Sequence, residues 1–406
     1  METIFDVLIV GAGASGLACA LTCARAGKKT LVLEKQPLPA RKVLASGNGR
    51  CNFTNRRVAP EFYHADNDLI KTTLAQFSAQ DCLDFFTSLG VLYQEEENGR
   101  FFPRCGKSSA IAAPLKLACE ESGVQFIYNC EVLKIKKTDK IFTAHTSTGQ
   151  RFEARKVVLA CGSRAYPQLG GSDSGYALAQ RLGHTVTQPR PALSGVCVKQ
   201  SAVQRLAGVR AQVRVTAATT PHAQAEGEII FTDYGINGPA ILNLSGAISR
   251  ALDKGEVALT INFLPDLDNP RRFFEQRLAQ FSRRTPKDFL SGLLHETIAN
   301  LLIDFAGLRK NKPLCDQPSA AFERMVNTLL AWPFNVTALR PWNEAMAATG
   351  GVKTREINYN TFESLCTADL FITGELLDVD GQSGGFNLHF AWASGIIAAR
   401  SIIKEN

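Results

Sequence analysis

Three glycines near the start of the chain have the spacing that is typical of turns that bind the diphosphate of a dinucleotide. Gly11, Gly13 and Gly16 follow the apolar run FDVLIV and precede the Ala-rich run LACALTCARAG. In the strand–turn–helix unit that this pattern predicts, Gly11 allows the tight turn, Gly13 admits backbone N–H groups to a pyrophosphate, and Gly16 permits close helix–strand packing. A second apolar run ends at Glu34, whose carboxylate is suited to accept hydrogen bonds from ribose hydroxyls. The predicted turn also contains Ala12, Ala14 and Ser15, of which Ala14 and Ser15 are further candidate contacts.

A polar loop after this unit offers further groups to a bound nucleotide. The run KVLASGNGRCNFTN is rich in glycine, asparagine, serine and threonine, and it carries positive charge. Such a loop supplies backbone and amide donors together with cations, which suit a diphosphate or the edge of a flavin ring. The groups concerned are Lys42, Ser46, Gly47, Asn48 and Arg50.

A later apolar run indicates that the nucleotide-binding sheet contains strands beyond the first strand–turn–helix motif. The run RKVVLACG reads as a buried parallel strand, followed by a turn that contains Ala160 and Gly162. Ligands of doubly wound folds bind at the carboxyl ends of such strands. This turn is therefore expected to line the same site.

The end of the chain favours FAD over NAD as the nucleotide. The run LFITGELLDVDGQSGGFNLHFAW predicts a strand that ends at Gly374 and Glu375, then a glycine-rich loop and a helix that begins near Leu388. A carboxylate after the strand can bind ribityl hydroxyls, and a helix N-terminus stabilises negative charge on a reduced flavin. An NAD-only enzyme has no use for this second, distant contribution. Gly385 and Phe386 stand directly before the predicted helix.

Length and composition predict a soluble multidomain protein. The chain has 406 residues, 45% of them hydrophobic, and is too long for a single core and too apolar for a disordered protein. No apolar run reaches the roughly 18 residues that span a bilayer, and no basic leader precedes the first strand, so a cytoplasmic location is expected. The 11 cysteines include no C-x-x-C pair and are expected to be buried thiols, with no metal site or redox pair.

Changes of pattern along the chain predict an α/β, Rossmann-like FAD-binding domain that is interrupted by an insert. Short alternating runs predict a β-rich first part of the insert, and helical periodicity predicts a second part. The predicted bounds are 1–189 and 348–406 for the FAD-binding domain, 190–265 for the β-rich insert and 266–347 for the helical insert.

The positive charge of the chain is concentrated in the helical insert. The formal net charge is +7, and the segment from Asn269 to Lys287 holds six cations against one anion, Glu275. Such a segment is either a solvated helix face or a surface for RNA or another anionic partner. Phe273, Phe274 and Phe281 in this segment would stack on bases or fill the helix core.

The combined motifs resemble the BaiN/RdsA family of NAD(P)/FAD-dependent oxidoreductases, also known as aminoacetone oxidase-like flavoproteins. The resemblance covers nearly the whole chain and includes VGAGASG, KVLASGNGRCNFTN, GEIIFTDYGINGPAIL, GGVKT and GELLDVDGQSGGFNL. It implies a two-part FAD-binding domain of the glutathione-reductase type. This sequence has Asp233 and Tyr234 where members often have a histidine, and His389 where a glutamine is frequent.

The resemblance also implies which residues contact a non-covalently bound FAD. Val132 would lend its backbone to the adenine, and four residues near the chain end would hold the ribityl chain and the ring. The implied contacts near the start are Gly13, Ser15, Gly16, Glu34, Lys35, Lys42, Gly47, Arg50 and Cys51, and those near the end are Gly374, Glu375, Asn387 and Leu388.

The activity implied by the resemblance is reduction of a conjugated C=C bond, either in a uracil of ribosomal RNA or in a steroid-type enone. NAD(P)H would be a transient electron donor, because no second G-x-G-x-x-G follows a later strand. Candidate proton donors are Cys51, Tyr166 and Asp233. A disulfide reductase is excluded by the missing C-x-x-C pair, whereas an FAD-dependent amine oxidase stays an alternative.

Overall fold

The structure is a computed structural model that describes residues 4–65 and 68–404. No helix within these ranges has the length and apolar character needed to cross a membrane. The strands are β1 (Ile4–Val10), β2 (Thr30–Leu33), β3 (Thr54–Asn55), β4 (Tyr63–His64), β5 (Tyr93–Glu96), β6 (Arg100–Pro103), β7 (Gln125–Ile127), β8 (Val132–Thr138), β9 (Ile141–Thr146), β10 (Arg151–Leu159), β11 (Val186–Ala192), β12 (Val196–Val198), β13 (Arg210–Ala217), β14 (Ala223–Phe231), β15 (Gly235–Asn237), β16 (Val257–Asn262), β17 (Trp332–Leu339), β18 (Ala347–Val352), β19 (Leu370–Ile372) and β20 (Asp380–Gly381). The helices are α1 (Ala14–Arg25), α2 (Arg41–Gly49), α3 (Leu69–Gln76), α4 (Ala79–Thr87), α5 (Ser109–Glu121), α6 (Ser174–Arg181), α7 (Pro239–Ala251), α8 (Pro270–Phe281), α9 (Pro286–Leu290), α10 (Glu296–Ala306), α11 (Ser319–Leu330) and α12 (Phe386–Lys404).

A seven-stranded sheet organises the first compact unit. Its order is β7-β2-β1-β10-β9-β8, and β19 also pairs with β10. β1 pairs in parallel with both β2 and β10, and β10 pairs in parallel with β19. Most residues of β1 and all residues of β2 and β19 are buried, as is typical of strands inside a covered parallel sheet. The predicted α/β, Rossmann-like fold is confirmed.

Two helices from opposite ends of the chain, α1 and α12, pack closely on each other. A Cβ atom on Gly16 of α1 would lie 2.0 Å from the carbonyl oxygen of Gly11, and one on Gly395 of α12 would lie 2.2 Å from the carbonyl oxygen of Ser15. Both positions therefore require glycine, since neither backbone can move without separating the helix from its neighbour. The contact explains how the last helix completes a domain that the first strand begins.

The chain divides into two compact units, Met1–Arg190 with Trp342–Asn406 and Pro191–Pro341. The second unit contains a closed barrel in the order β12-β15-β14-β13-β16-β17, and its core also includes side chains of the helices between β16 and β17.

Two elements of the second unit differ from the sequence prediction. The stretch predicted to be β-rich contains the helix α7, and the stretch predicted to be helical ends in the strand β17. β17 pairs with β12 and β16, so it closes the barrel. Strand β12 lies far away in the sequence, so no local pattern identified β17 as part of the barrel.

Candidate cofactor site

The predicted nucleotide-binding segments meet at the carboxyl edge of the parallel sheet. The N–H of Gly11 donates to the carbonyl of Leu33 at 2.8 Å, and that of Ala160 donates to the carbonyl of Val10 at 2.9 Å. The N–H of Thr373 donates to the carbonyl of Leu159 at 3.1 Å, which places Gly374 at the same edge. Gly162, two residues beyond Ala160, is partly exposed, and a Cβ there would contact no described atom within 4 Å.

The N-terminus of α1 fits a pyrophosphate. Gly13 is the N-cap, so no side chain caps the helix, and the first turn, which includes Ala14 and Ser15, contains no acidic residue. A Cβ atom on Gly13 would meet none of the described atoms within 4 Å, so the space in front of the helix is open. The free N–H groups and the positive end of the helix dipole both favour an anion at this place.

Glu34 is held at the edge of the sheet by backbone donors. Its Oε2 accepts from the N–H of Ala12 at 2.7 Å, and its Oε1 accepts from the N–H of Gln36 at 2.8 Å. The side chain is partly exposed, so its remaining lone pairs can receive ribose hydroxyls. The N–H of Cys130 donates to the carbonyl of Glu34 at 2.9 Å, which brings the start of β8 at Val132 near the same end of the site.

Lys35 and Lys42 are engaged with other parts of the first unit. The Lys35 ammonium donates to the hydroxyl of Ser172. The Lys42 ammonium pairs with Oε2 of Glu375, and Oε1 of Glu375 accepts from the N–H of Ala348 at 3.2 Å. The Lys42–Glu375 pair joins two predicted cofactor segments that lie 333 residues apart in the chain.

The loop predicted around residues 42–55 begins as the helix α2, which breaks at Ser46, Gly47 and Asn48. Gly47 and Asn48 have φ values of +56° and +55°, so the chain turns in the left-handed region. Both residues are exposed, together with Gly49. The structure thus presents a short backbone turn to solvent next to the site.

The loop before α12 is shaped by Gly384 and Gly385, which have φ values of +118° and +101°. The side chain of Asn387 closes this loop: its Nδ2 donates to the carbonyl of Gly381 at 2.7 Å, and its Oδ1 accepts from the N–H of the same residue at 2.9 Å. A cofactor contact of Asn387 would therefore use its backbone, because the side-chain amide is already occupied. Phe386 is buried and stacks on Phe62 at 4.7 Å, whereas Leu388 is partly exposed.

Cys51 does not fit the predicted role of proton donor. Its side chain has no exposed surface and is sealed by protein atoms. Burial raises the pKa of the Cys51 thiol to about 12. A thiol without accessible surface cannot reach a substrate.

The other two candidate proton donors lie in different units. Tyr166 belongs to the first unit, in the turn that follows β10, and is partly exposed. Burial raises the pKa of its phenol, which keeps the hydroxyl protonated at neutral pH. Asp233 is exposed and belongs to the second unit, in the turn between β14 and β15.

His389 has a structural role that the sequence did not reveal. Its side chain is fully buried on the first turns of α12. Nε2 lies 3.2 Å from the carbonyl of Phe77, which can only accept, so this nitrogen carries the proton and Nδ1 accepts from the hydroxyl of Thr54 at 2.8 Å. Burial lowers the pKa of His389 to about 4, so the ring is neutral at pH 7.

One group of potential metal ligands among the described residues is explained by hydrogen bonds alone. His184, Glu356 and Cys366 place ligand atoms within 4.8 Å of one another. The hydroxyl of Ser364 accepts from two backbone N–H groups, so it donates to Nε2 of His184 at 2.7 Å. Nδ1 then carries the ring proton and donates to Glu356 at 3.2 Å.

Comparison with known proteins identifies full-length relatives. The model of the HI0933-like protein Rossmann domain matches residues 5–401. The 3-dehydro-bile acid delta(4,6)-reductase of Clostridium scindens is 34% identical over 98% of both chains. The ribosomal RNA dihydrouridine synthase of Escherichia coli is 31% identical over 98% of both chains, and that of Haemophilus influenzae is 28% identical over the whole of both.

Proposed function

The chain belongs to the HI0933-like family and is a flavoprotein oxidoreductase, and we propose that it reduces the C5=C6 bond of a uracil in ribosomal RNA with FAD as cofactor. The observation that carries the proposal is the uncapped N-terminus of α1, with open space at Gly13, at an edge where four distant segments meet. The names of the two kinds of full-length relative support it, since both describe addition of hydrogen across a C=C bond.

The FAD would be held by residues of the first unit alone. The first turn of α1 would bind the pyrophosphate, Glu34 the adenosine ribose, and the backbone near Val132 the adenine. Gly374, Glu375 and the start of α12 would hold the ribityl chain and the ring. The full proposed set is Gly11, Gly13, Ala14, Ser15, Gly16, Glu34, Lys35, Lys42, Ser46, Gly47, Asn48, Val132, Ala160, Gly162, Gly374, Glu375, Gly385, Phe386, Asn387 and Leu388.

The residues of the chain contribute binding, orientation and charge stabilisation to this reaction. Bound FAD supplies hydride transfer, for which NAD(P)H is the proposed transient donor. The N-terminus of α12 would stabilise negative charge on the ring, and Lys42 holds the carboxylate of Glu375, which would bind the ribityl hydroxyls. Tyr166 is the proposed proton donor, because its phenol is protonated at neutral pH and partly exposed.

A basic surface on the second unit supports RNA as the substrate. Of the six cations between Asn269 and Lys287, Arg277 donates to the carbonyl of Phe289 at 2.7 Å and Lys287 pairs with Glu296 at 2.6 Å. The four others are exposed and have no acidic partner within the described ranges. We call them the arginine surface: Arg271, Arg272, Arg283 and Arg284.

The aromatic side chains of this segment pack in or against the core of the second unit. Phe274 is buried in the core of the second unit, and Phe273 and Phe281 pack against that core. The arginine surface would therefore contact phosphates and leave recognition of the base to other residues.

Replacing all four residues of the arginine surface with alanine is expected to weaken binding of ribosomal RNA and to leave the FAD content unchanged. Loss of up to four phosphate contacts should make the plot of log affinity against log salt shallower by about 3. Filter binding over a salt series measures this. The control is Lys287→Ala with Glu296→Ala, which removes a paired cation and anion and should leave the slope as in the wild type. An unchanged slope in the fourfold variant would show that RNA does not bind this surface.

Mass spectrometry of ribosomal RNA from a deletion strain tests the substrate. We expect one dihydrouridine to be lost and to return when the wild-type gene is restored. Unchanged dihydrouridine would exclude the RNA substrate and favour a small conjugated enone, the second candidate, which the 34% identical bile acid reductase supports.

A further inference from the structure

The exposed turn of α2 rests on an aromatic ring from a neighbouring hairpin. A Cβ atom on Gly47 would lie 3.4 Å from Cε1 of Phe102 in β6, and the guanidinium carbon of Arg50 lies 4.3 Å from the centroid of the same ring. Phe102 is 4% exposed, so it is fixed by its own packing. One buried ring thus supports both the turn and the arginine that follows it.

Arg50 is also bound to the last residue of β5. Its Nη1 donates to Oε2 of Glu96 at 3.2 Å, and its Nη2 pairs with Oε1, so the contact is bidentate. The hydrogen bond to Glu96 raises the pKa of Arg50, and the same contact lowers the pKa of Glu96. Both groups are therefore charged, and the carboxylate offsets most of the attraction that Arg50 could exert on a phosphate.

Backbone hydrogen bonds also fix the two ends of the Gly47–Gly49 turn. The N–H of Cys51 donates to the carbonyl of Ser46 at 3.0 Å, and that of Arg50 donates to the carbonyl of Gly47 at 3.1 Å. The N–H of Ser108, which precedes α5, donates to the carbonyl of Gly49 at 2.8 Å. The turn is therefore held at both ends while Gly47, Asn48 and Gly49 stay exposed.

We propose that Arg50 is a positioning residue that acts through Glu96 and Phe102 to hold the Gly47–Gly49 turn in the conformation that receives FAD. This differs from the direct contact implied by the family resemblance, and it assigns a role in cofactor binding to Glu96 and Phe102. The inference rests on the proposed binding of FAD. A rigid turn binds a cofactor more tightly because less conformational freedom is lost on binding.

Titration of the apo-protein with FAD, followed by flavin fluorescence, tests the proposal. Glu96→Ala and Arg50→Ala should each raise the Kd by about tenfold, and the double variant should be no worse than either single one, because the two side chains act as one unit. The exchange Arg50→Glu with Glu96→Arg should recover most of the affinity. Visible circular dichroism of bound flavin should change in the single variants and return in the exchange variant.

The neighbouring pair Arg56–Glu95, which joins the residue after β3 to β5, is the matched control. Arg56 donates from Nε to Oε1 of Glu95 at 2.7 Å, and Glu95→Ala should leave the Kd for FAD within about twofold of the wild type. If Glu96→Ala fails to fold, Phe102→Leu is the substitute test. This variant removes the aromatic ring with little change of volume and should raise the Kd for FAD.

Wild-type affinity in Glu96→Ala combined with lost affinity in Arg50→Ala would overturn the proposal and indicate direct contact. Wild-type affinity in every variant would overturn it as well. A wild-type protein that does not bind FAD would instead contradict the proposed function.

Discussion

Replacing Gly13 with glutamate is expected to abolish FAD binding while leaving the fold intact. The new side chain would project into the open space before α1, where a carboxylate takes the place of the pyrophosphate and repels it. We expect the Kd for FAD to rise by at least about 100-fold, which corresponds to about 2.7 kcal/mol. Equilibrium dialysis of apo-protein with FAD measures the change.

Gly13→Gln and Gly13→Ala separate charge from size in this experiment. The φ of Gly13 is −82°, a value that other residues adopt without strain, so all three variants should keep the circular dichroism spectrum of the wild type. Gly13→Ala should retain FAD, and Gly13→Gln should bind it with intermediate affinity. If Gly13→Glu bound FAD as the wild type does, the pyrophosphate would not lie at this helix.

His389 is expected to make the first unit sensitive to acid, and His389→Gln is expected to remove that sensitivity. The ordinary pKa of histidine is 6.5, and burial lowers that of His389 to about 4 in the folded state. As the pH falls below 6.5, His389 becomes protonated in the unfolded chain but stays neutral in the folded protein. The stability contributed by the neutral ring is therefore complete above pH 6.5 and is lost progressively between pH 6.5 and 4.

Urea unfolding at pH 7.5 and pH 4.5 measures this loss. Between pH 7.5 and pH 4.5, the free energy of unfolding should fall by about 2 to 3 kcal/mol more in the wild-type protein than in His389→Gln. Glutamine is a matched control because its amide can accept from the hydroxyl of Thr54 and donate to the carbonyl of Phe77, as the neutral imidazole does. Equal losses in both proteins would show that His389 does not set the acid sensitivity.

Local patterns were sufficient to predict the α/β fold and the meeting of its parts at one sheet edge. Gly11, Gly16 and Glu34 act within a single strand–turn–helix–strand unit, so their spacing alone carries the geometry. The same holds for the strand that ends before Gly374. In each case the constraint is set by residues that are near in sequence.

Pairings between distant segments could not be predicted. Lys42 and Glu375 are 333 residues apart, and Arg50 and Glu96 are 46 apart, so no periodicity relates them. The burial of Cys51 could not be predicted for a related reason. Cys51 lies in a polar segment, and its side chain is sealed by residues that are distant in the sequence or in neighbouring turns.

The flavin content of the purified protein tests the central claim most directly. Protein that is denatured after purification should release about one FAD per chain, and before denaturation it should show the visible absorption spectrum of a bound flavin. Apo-protein should regain this spectrum when FAD is added. Colourless wild-type protein that cannot be reconstituted with FAD would contradict the account.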